Sequence, residues 1–461
     1  MNNRHGQALG IPTYCVAISS CALLFLLSVF PMIYKVLYLK AFLFAVVLAS
    51  IAVEYVTSGR SRLDFRLSVW TVGLSAMSFL FALEGMFRQA PGAGKVVVIY
   101  VVWPIVYTIW VAGLAQPRLL SAIDRTALVA TLFLGVYGCA YLLTQLNILP
   151  ETSIVSALSM DWEFDVFEAG KGYTSMTLAG VNSLPFLLPY VMARLATHIP
   201  APGETRLKQI ALWAASILCL VVSLASSRRA LVFVVILTPL FVFILRSFQP
   251  KTERGSNRRS FLVFSLGFLV GIFAVFVALN TVYQFDLGSI WQRLSSAFDF
   301  GPLSSDESGG GMVRREQYFA LMRGWLDHPL FGAGHGASAG PYGSIRSDLF
   351  PWSYELGYLA LLFQIGLVGL VAYAAGVAWI FRRGIKLIRD GGPCGQMMIP
   401  MLAGLTGVLL CHAVDPYLDR FDCMWMLFLP LAVINYGFSR TSPEAVQSSP
   451  LAGTLRAPRI V

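Results

Sequence analysis

Two groups of residues in this chain have the types and spacing to hold an anion. The first is Ser226-Ser227-Arg228-Arg229, two adjacent guanidinium groups at the junction of two apolar runs. The second is the polar stretch Tyr283 to Trp352. It holds Arg293, Arg314, Arg315 and Arg323, then the turn His328-Pro329-Leu330-Phe331-Gly332-Ala333-Gly334-His335-Gly336. Guanidinium is a planar fork that matches phosphate oxygens in pairs and stays charged where the dielectric is low. Arg228, Arg229, Arg314 and Arg315 are therefore candidates to bind a phosphate group. The plainer alternative is that arginines at a membrane boundary snorkel to lipid headgroups. A glycine-rich turn permits close backbone approach but is a weak phosphate signal on its own.

Two nearby groups are candidates to take a proton. Glu355, in Tyr354-Glu355-Leu356-Gly357, is a carboxylate at the head of an apolar run and is placed to act as a general base. It also fits an ordinary first-turn carboxylate interacting with a helix dipole. His335 is the other candidate, although a lone loop histidine is commonly structural. Arg323, Arg346 and Lys171 are further cations that could meet an acceptor or second substrate. His412, Asp415, Asp419, Arg420 and Asp422 lie in the last polar turn and could contact a polar acceptor. Asp161, Glu163, Asp165 and Glu168 have no distinctive ligand spacing, so a solvated loop is expected and no metal site. The seven cysteines are scattered without a CxxC pair, which points to neither zinc nor a disulfide framework. No cofactor is expected.

The elements that must position these residues are almost all apolar. The 461 residues are 57% hydrophobic and 13% charged, with a mean hydropathy of +0.69. Runs of about 20 apolar residues recur throughout, the length a helix needs to cross a bilayer. They lack two-residue alternation, which excludes a barrel. The net charge of +10 does not indicate nucleic acid, because the basic residues sit in short loops where membrane orientation accounts for them. The expected fold is an all-α polytopic membrane protein of twelve spans. These fall near 11–34, 37–56, 67–87, 96–115, 126–146, 173–195, 208–225, 230–246, 261–282, 353–381, 397–414 and 423–438. The run from Ile11 carries no small-residue cleavage site before Lys35 and is expected to remain as the first span.

With the N-terminus in the cytoplasm, the charges alternate by face. Arg60, Arg62 and Arg66, the cluster Arg246 to Arg259, and Arg382, Arg383, Lys386 and Arg389 then fall inside. Arg228 and the 283–352 loop fall outside, against the orientation rule, so those cations need another reason to be there. The chain accordingly divides into nine spans (1–282), a large outward loop (283–352), three spans (353–438) and a disordered cytoplasmic tail (439–461). Within the loop, Met312–Leu326 has amphipathic spacing (Val313, Tyr318, Leu321, Met322, Trp325) and predicts an interfacial helix lying on the membrane. No internal repeat or inverted pair of broken helices is visible, which weighs against a secondary transporter.

Three marks resemble the O-antigen ligase and O-antigen polymerase superfamily. Arg314, with Tyr318 four residues on, precedes the turn His328-Pro329-Leu330-Phe331-Gly332-Ala333-Gly334. Ser227-Arg228 opens a span before the large loop. Gln364-Ile365-Gly366-Leu367-Val368-Gly369-Leu370 follows it. The resemblance covers the seventh to tenth spans and implies a C-type glycosyltransferase fold. Members transfer a glycan from undecaprenyl diphosphate to a sugar hydroxyl on the outer face, with inversion and without a metal. Arginines hold the diphosphate, here Arg228 and Arg314. The ligase branch carries a histidine followed by asparagine where this chain has Glu355-Leu356.

That departure favours a polymerase of lipid-linked repeat units in the bacterial inner membrane, with a periplasmic site. Its expected partners are a lipid-linked glycan donor, a sugar acceptor, membrane lipid and a chain-length regulator protein. The alternatives are an O-antigen ligase or protein oligosaccharyltransferase, and, in another class, a flippase for lipid-linked sugar.

Overall fold

The computed structural model describes residues 11–31, 36–58, 63–145, 147–150, 167–168, 172–173, 178–197, 206–226, 228–251, part of 265–281, 310–343 and 350–441. Its helices are α1 (Ile11–Val29), α2 (Leu37–Ser58), α3 (Phe65–Phe87), α4 (Ala93–Val97), α5 (Trp103–Gly113), α6 (Pro117–Gln145), α7 (Leu184–Thr197), α8 (Arg206–Ala225), α9 (Arg229–Ser247), α10 (Gly310–Asp327), α11 (Gly357–Asp390), α12 (Gly392–His412) and α13 (Trp425–Thr441). A two-residue antiparallel ladder pairs Phe167–Glu168 with Gly172–Tyr173. Among the described residues, ten helical segments are long and apolar enough to cross a membrane. The chain is an all-α polytopic membrane protein.

Ten of the twelve expected spans correspond to these segments. The ninth, 261–282, falls largely outside the described residues. Of the sixth, 173–195, residues 174–177 lie outside the described residues; the remainder holds a 3-10 turn at Ala179–Ser183 and the start of the 14-residue α7, shorter than the ten segments above. Of its 14 residues, only Arg194 is not buried, and it packs against α6, α8, α9 and α12. A helix apolar on every side can be enclosed by protein as readily as by lipid, and hydropathy does not separate the two.

Local chemistry sets several boundaries. Asp64 caps α3, its carboxylate accepting from the Arg66 amide at 2.8 Å. Between α4 and α5 the helix widens into a π-turn at Val98–Val102, immediately before Pro104, whose missing N–H cannot continue the α-ladder. This bulge carries Tyr100, whose hydroxyl donates to Asp419.

Contacts gather several helix ends at one end of the bundle. Lys40, near the start of α2, donates to the Phe30 carbonyl at 2.6 Å and pairs with Asp422, just before α13, at 3.5 Å. Both of those side chains are only 3% exposed. Gly92, before α4, donates to the Gly336 carbonyl. Gly357, opening α11, lies against His412, closing α12. The start of α9 reaches the loop after α12 through Arg228.

The helix expected at 312–326 exists as α10, but it uses a different face. Gln317, Ala320, Leu321 and Gly324 are buried, at i, i+3, i+4 and i+7, whereas Tyr318 is exposed. α10 packs this buried face on α11 and the Tyr342 turn. The small residues allow that approach: a Cβ at Gly324 would meet Phe363 and Tyr342. Gln317 then accepts from the Glu355 amide at 2.9 Å, satisfying a donor at the head of α11.

Candidate functional site

Arg228 sits at the N-terminal boundary of α9, three-quarters buried. Its Nη1 donates to Asn182 Oδ1 at 2.6 Å and the Tyr417 hydroxyl at 3.2 Å, and lies 3.5 Å from Asp415 Oδ2. All three contacts use one nitrogen, so these partners leave the Nε and Nη2 edge of the fork unused. Burial would lower the pKa of the guanidinium, but Tyr417 and Asp415 outweigh it and hold the pKa above its usual value. The same burial pushes the Tyr417 phenol up, so it remains a neutral hydroxyl. Asp415 also faces a second cation, its Oδ1 lying 3.7 Å from Arg420 Nη2. Arg229 opens α9, and its side chain lies outside the described positions, as does Ser227.

Arg314, on the first turns of α10, meets Glu355 directly: Nε to Oε2 is 2.6 Å. The arginine side chain is 39% exposed and the carboxylate 21%, so solvent reaches the pair. Arg315 lies on the neighbouring face, its guanidinium 5.9 Å from the Phe319 ring centroid, and Arg323 is exposed one turn further along.

The glycine-rich turn is not an anion cradle. The amides of residues 332 to 337 are all spent inside the protein: on the carbonyls of His328, Phe363, Gln364 and Phe81, on the Gln364 side chain, and on the carbonyl of Gly334. The turn mends a break in α11. At Gly366 (φ 65°, ψ −172°) that helix is interrupted, and its ladder is completed from outside. Ala333 and Gly334 donate to the carbonyls of Phe363 and Gln364, at 2.8 and 3.0 Å. The amides of Leu367 and Val368 donate to the carbonyls of Pro329 and Leu330, both at 3.0 Å. Buried backbone groups need partners, and here a loop supplies what the helix cannot. Gly332 (φ 79°) permits the approach, since a Cβ there would fall 2.5 Å from the Gln364 backbone. Two of the sequence marks, the glycine turn and the Gly366 segment, are thus the two halves of one joint.

His335 lies inside that joint, 1% exposed. Gln364 is oriented by donating Nε2 to the carbonyls of Ala337 and Trp352, so its Oε1 accepts from His335 Nδ1–H at 3.0 Å. Burial pushes the imidazole pKa down to about 4, the Gln364 bond opposing the shift. His335 Nε2 is buried with no hydrogen-bond partner among the described residues, and its ring rests 4.8 Å from that of Tyr100. As a candidate for the catalytic base, His335 is placed where substrate and solvent do not reach.

Arg228 and Arg314 stand at the same end of the bundle. Arg228 meets Asp415; three residues earlier, His412 touches Gly357; two residues before that, Glu355 holds Arg314. Lys171 and Arg346 lie outside the described residues, as do Arg293, Asp161, Glu163 and Asp165. Three site residues escaped the sequence reading, and a fourth, Gln364, which fixes His335, was read only as part of the Gly366 segment. Asn182 and Tyr417 hold Arg228. Lys95 places its ammonium 4.5 Å from the Phe350 ring centroid and 5.8 Å from that of Trp352. Each is a lone polar residue in or beside an apolar run, with no local pattern to reveal it. No family model, characterised protein or solved structure matches the chain.

Proposed function

We propose that the chain is a glycosyltransferase that lengthens a polysaccharide, moving a glycan from undecaprenyl diphosphate to the sugar hydroxyl of a second lipid-linked repeat unit. The reading places the site on the periplasmic face of the inner membrane, with both termini cytoplasmic. One observation carries it: Arg228 and Arg314, from separate stretches of sequence, share one end of the bundle, and each rests against a carboxylate that an incoming diphosphate can displace.

In this scheme the diphosphate takes the two guanidinium groups, and Glu355 is released from Arg314. The acceptor oxygen attacks the anomeric carbon from the face opposite the diphosphate. The carbon–oxygen bond to the carrier breaks, its electron pair staying on the departing diphosphate, where the arginines stabilise it. The hydroxyl proton passes to the freed Glu355 carboxylate. Glu355, where the ligase branch carries histidine, favours polymerase over ligase. The test is incubation of purified protein in lipid nanodiscs with undecaprenyl-diphosphate-linked repeat units. Chains should lengthen, and Arg228→Gln and Arg314→Gln should each lower the rate by about 10²-fold or more, the loss typical of removing one oxyanion-type contact. Undiminished rates in both variants would refute it.

A further inference from the structure

At the end of the bundle away from Arg228 and Arg314, two further guanidinium groups meet one aromatic ring. α3 fixes which end this is. Its last turns carry Gly85, which lies against His335, and Arg66 stands on its first turn, about 28 Å away along the helix. The Arg66 guanidinium carbon is 5.2 Å from the Phe438 ring centroid. That of Arg383, in the last turns of α11, is 5.4 Å from the same ring and 5.7 Å from the Trp379 ring. Neither guanidinium meets a carboxylate among the described residues. Asp64, two residues before Arg66, accepts instead from the Arg66 amide as the cap of α3. The Arg383 Nε is buried and has no hydrogen-bond partner among the described residues.

Hydrogen bonds between three helices hold this arrangement. The Asp64 amide donates to Asn435 Oδ1 at 2.9 Å, which docks the start of α3 on α13, three residues before Phe438. The Trp70 indole donates to the Gly376 carbonyl at 3.0 Å, which docks α3 on α11, and its ring stacks on Trp379. Trp379, Arg383 and Lys386 then follow at i, i+4 and i+7 on one face of α11, with Lys386 exposed. Membrane orientation alone accounts for an excess of basic residues at one end. It does not require two cations on one ring, or a buried N–H with no partner. A buried donor is costly to leave unpaired, so the pair of guanidinium groups calls for an acceptor with several oxygens.

We infer that Arg66 and Arg383 form a binding site for an anionic phospholipid of the leaflet at this end, its phosphate taken by the two guanidinium groups. Contact with a ring orients a guanidinium while leaving its N–H donors for phosphate oxygens. Phe65 and Val69, both exposed on the first turns of α3, offer an apolar surface to the acyl chains. An anionic headgroup is favoured over a zwitterionic one because no ion-paired carboxylate offsets the two cations. The site is separate from the proposed diphosphate site and does not depend on its chemistry.

The experiment is native mass spectrometry of the purified full chain in detergent, titrated with phosphatidylglycerol and, separately, with phosphatidylcholine of the same acyl chains. The tightest phosphatidylglycerol should be retained at concentrations where phosphatidylcholine is not. Arg66→Gln and Arg383→Gln should each weaken that retention about tenfold or more, as expected for loss of a charge-assisted contact. Arg389→Gln, which removes a cation from the same end of α11, should leave it unchanged. Arg66→Lys and Arg383→Lys should retain more lipid than the glutamine variants, which separates lost charge from lost folding. Equal retention of the two lipids, or native retention of phosphatidylglycerol by both glutamine variants, would overturn the site. An equal loss in Arg389→Gln would reduce it to diffuse charge and overturn it as well. Displacement of the lipid by excess inorganic phosphate would make this a site for free phosphate, and the assignment to a phospholipid would be wrong.

Discussion

Gly332→Ala is the substitution that probes the α11 joint. Its effect can be worked from two separate terms. The residue has φ 79°, where a side chain costs about 1–2 kcal/mol. A Cβ would also stand 2.5 Å from the Gln364 backbone and 2.6 Å from the Gly366 amide. Neither neighbour is a flexible side chain, so the turn must retreat. Retreat loosens four hydrogen bonds, Ala333 to Phe363, Gly334 to Gln364, Leu367 to Pro329 and Val368 to Leu330. At about 1 kcal/mol net each, these add about 4 kcal/mol to the conformational term. Gly343→Ala is the control: φ is 94°, but nothing lies within 4 Å, so only the conformational cost of about 1–2 kcal/mol applies. The assay is loss of monodisperse protein on heating in detergent, followed by size-exclusion fluorescence. Gly332→Ala should melt well below Gly343→Ala, which should melt slightly below the native chain. Equal melting of the two variants would refute the joint, because the backbone conformation alone would then explain both.

Three further outcomes follow. Arg228→Lys should fail to restore transfer, since one ammonium cannot reproduce a fork held by Asn182 and Tyr417 while its other edge meets phosphate; a native rate in the nanodisc assay would contradict this. Glu355→Gln should slow transfer by about 10²-fold or more yet bind farnesyl diphosphate at least as tightly, because Arg314 loses its competitor; weaker binding would argue against the exchange. His335 gives a pH signature. Its pKa is about 4 in the folded chain against about 6.5 unfolded. The unfolded chain therefore gains a proton over that interval that the folded chain refuses, and stability falls as pH drops from about 6.5 to about 4, by about 3 kcal/mol in total. His335→Gln should flatten that part of the melting profile, and an unchanged slope would remove the assignment.

How far the sequence carries depends on the kind of residue. The apolar runs gave ten helices long and apolar enough to cross a membrane, because twenty apolar residues are both necessary and visible, although the helices at Pro117–Gln145 and Gly357–Asp390 run well beyond one expected bound. The same signal does not reveal that the helix Leu184–Thr197 is short and enclosed by other helices. Arg228, Arg314 and Glu355 were visible as polar groups at the edges of apolar runs. Their pairing was not, since it depends on Asp415 and Gln317 arriving from other segments. The turn at 328–336 shows the limit most clearly. Gly332, Gly334 and Gly336 all have positive φ, which would equally suit an anion cradle. Only the partners of their amides reveal that they close α11. In α10 Leu321 was legible as a buried position, but Gln317, Ala320 and Gly324 beside it are residues a search for hydrophobicity passes over.

The most direct test of the central claim is a cryo-EM map of the chain in nanodiscs with bound undecaprenyl diphosphate. The account predicts phosphorus density within hydrogen-bond reach of both Arg228 and Arg314, with the Glu355 carboxylate turned away from the Arg314 guanidinium. Density away from both arginines, with the 2.6 Å Arg314–Glu355 pair intact, would contradict it.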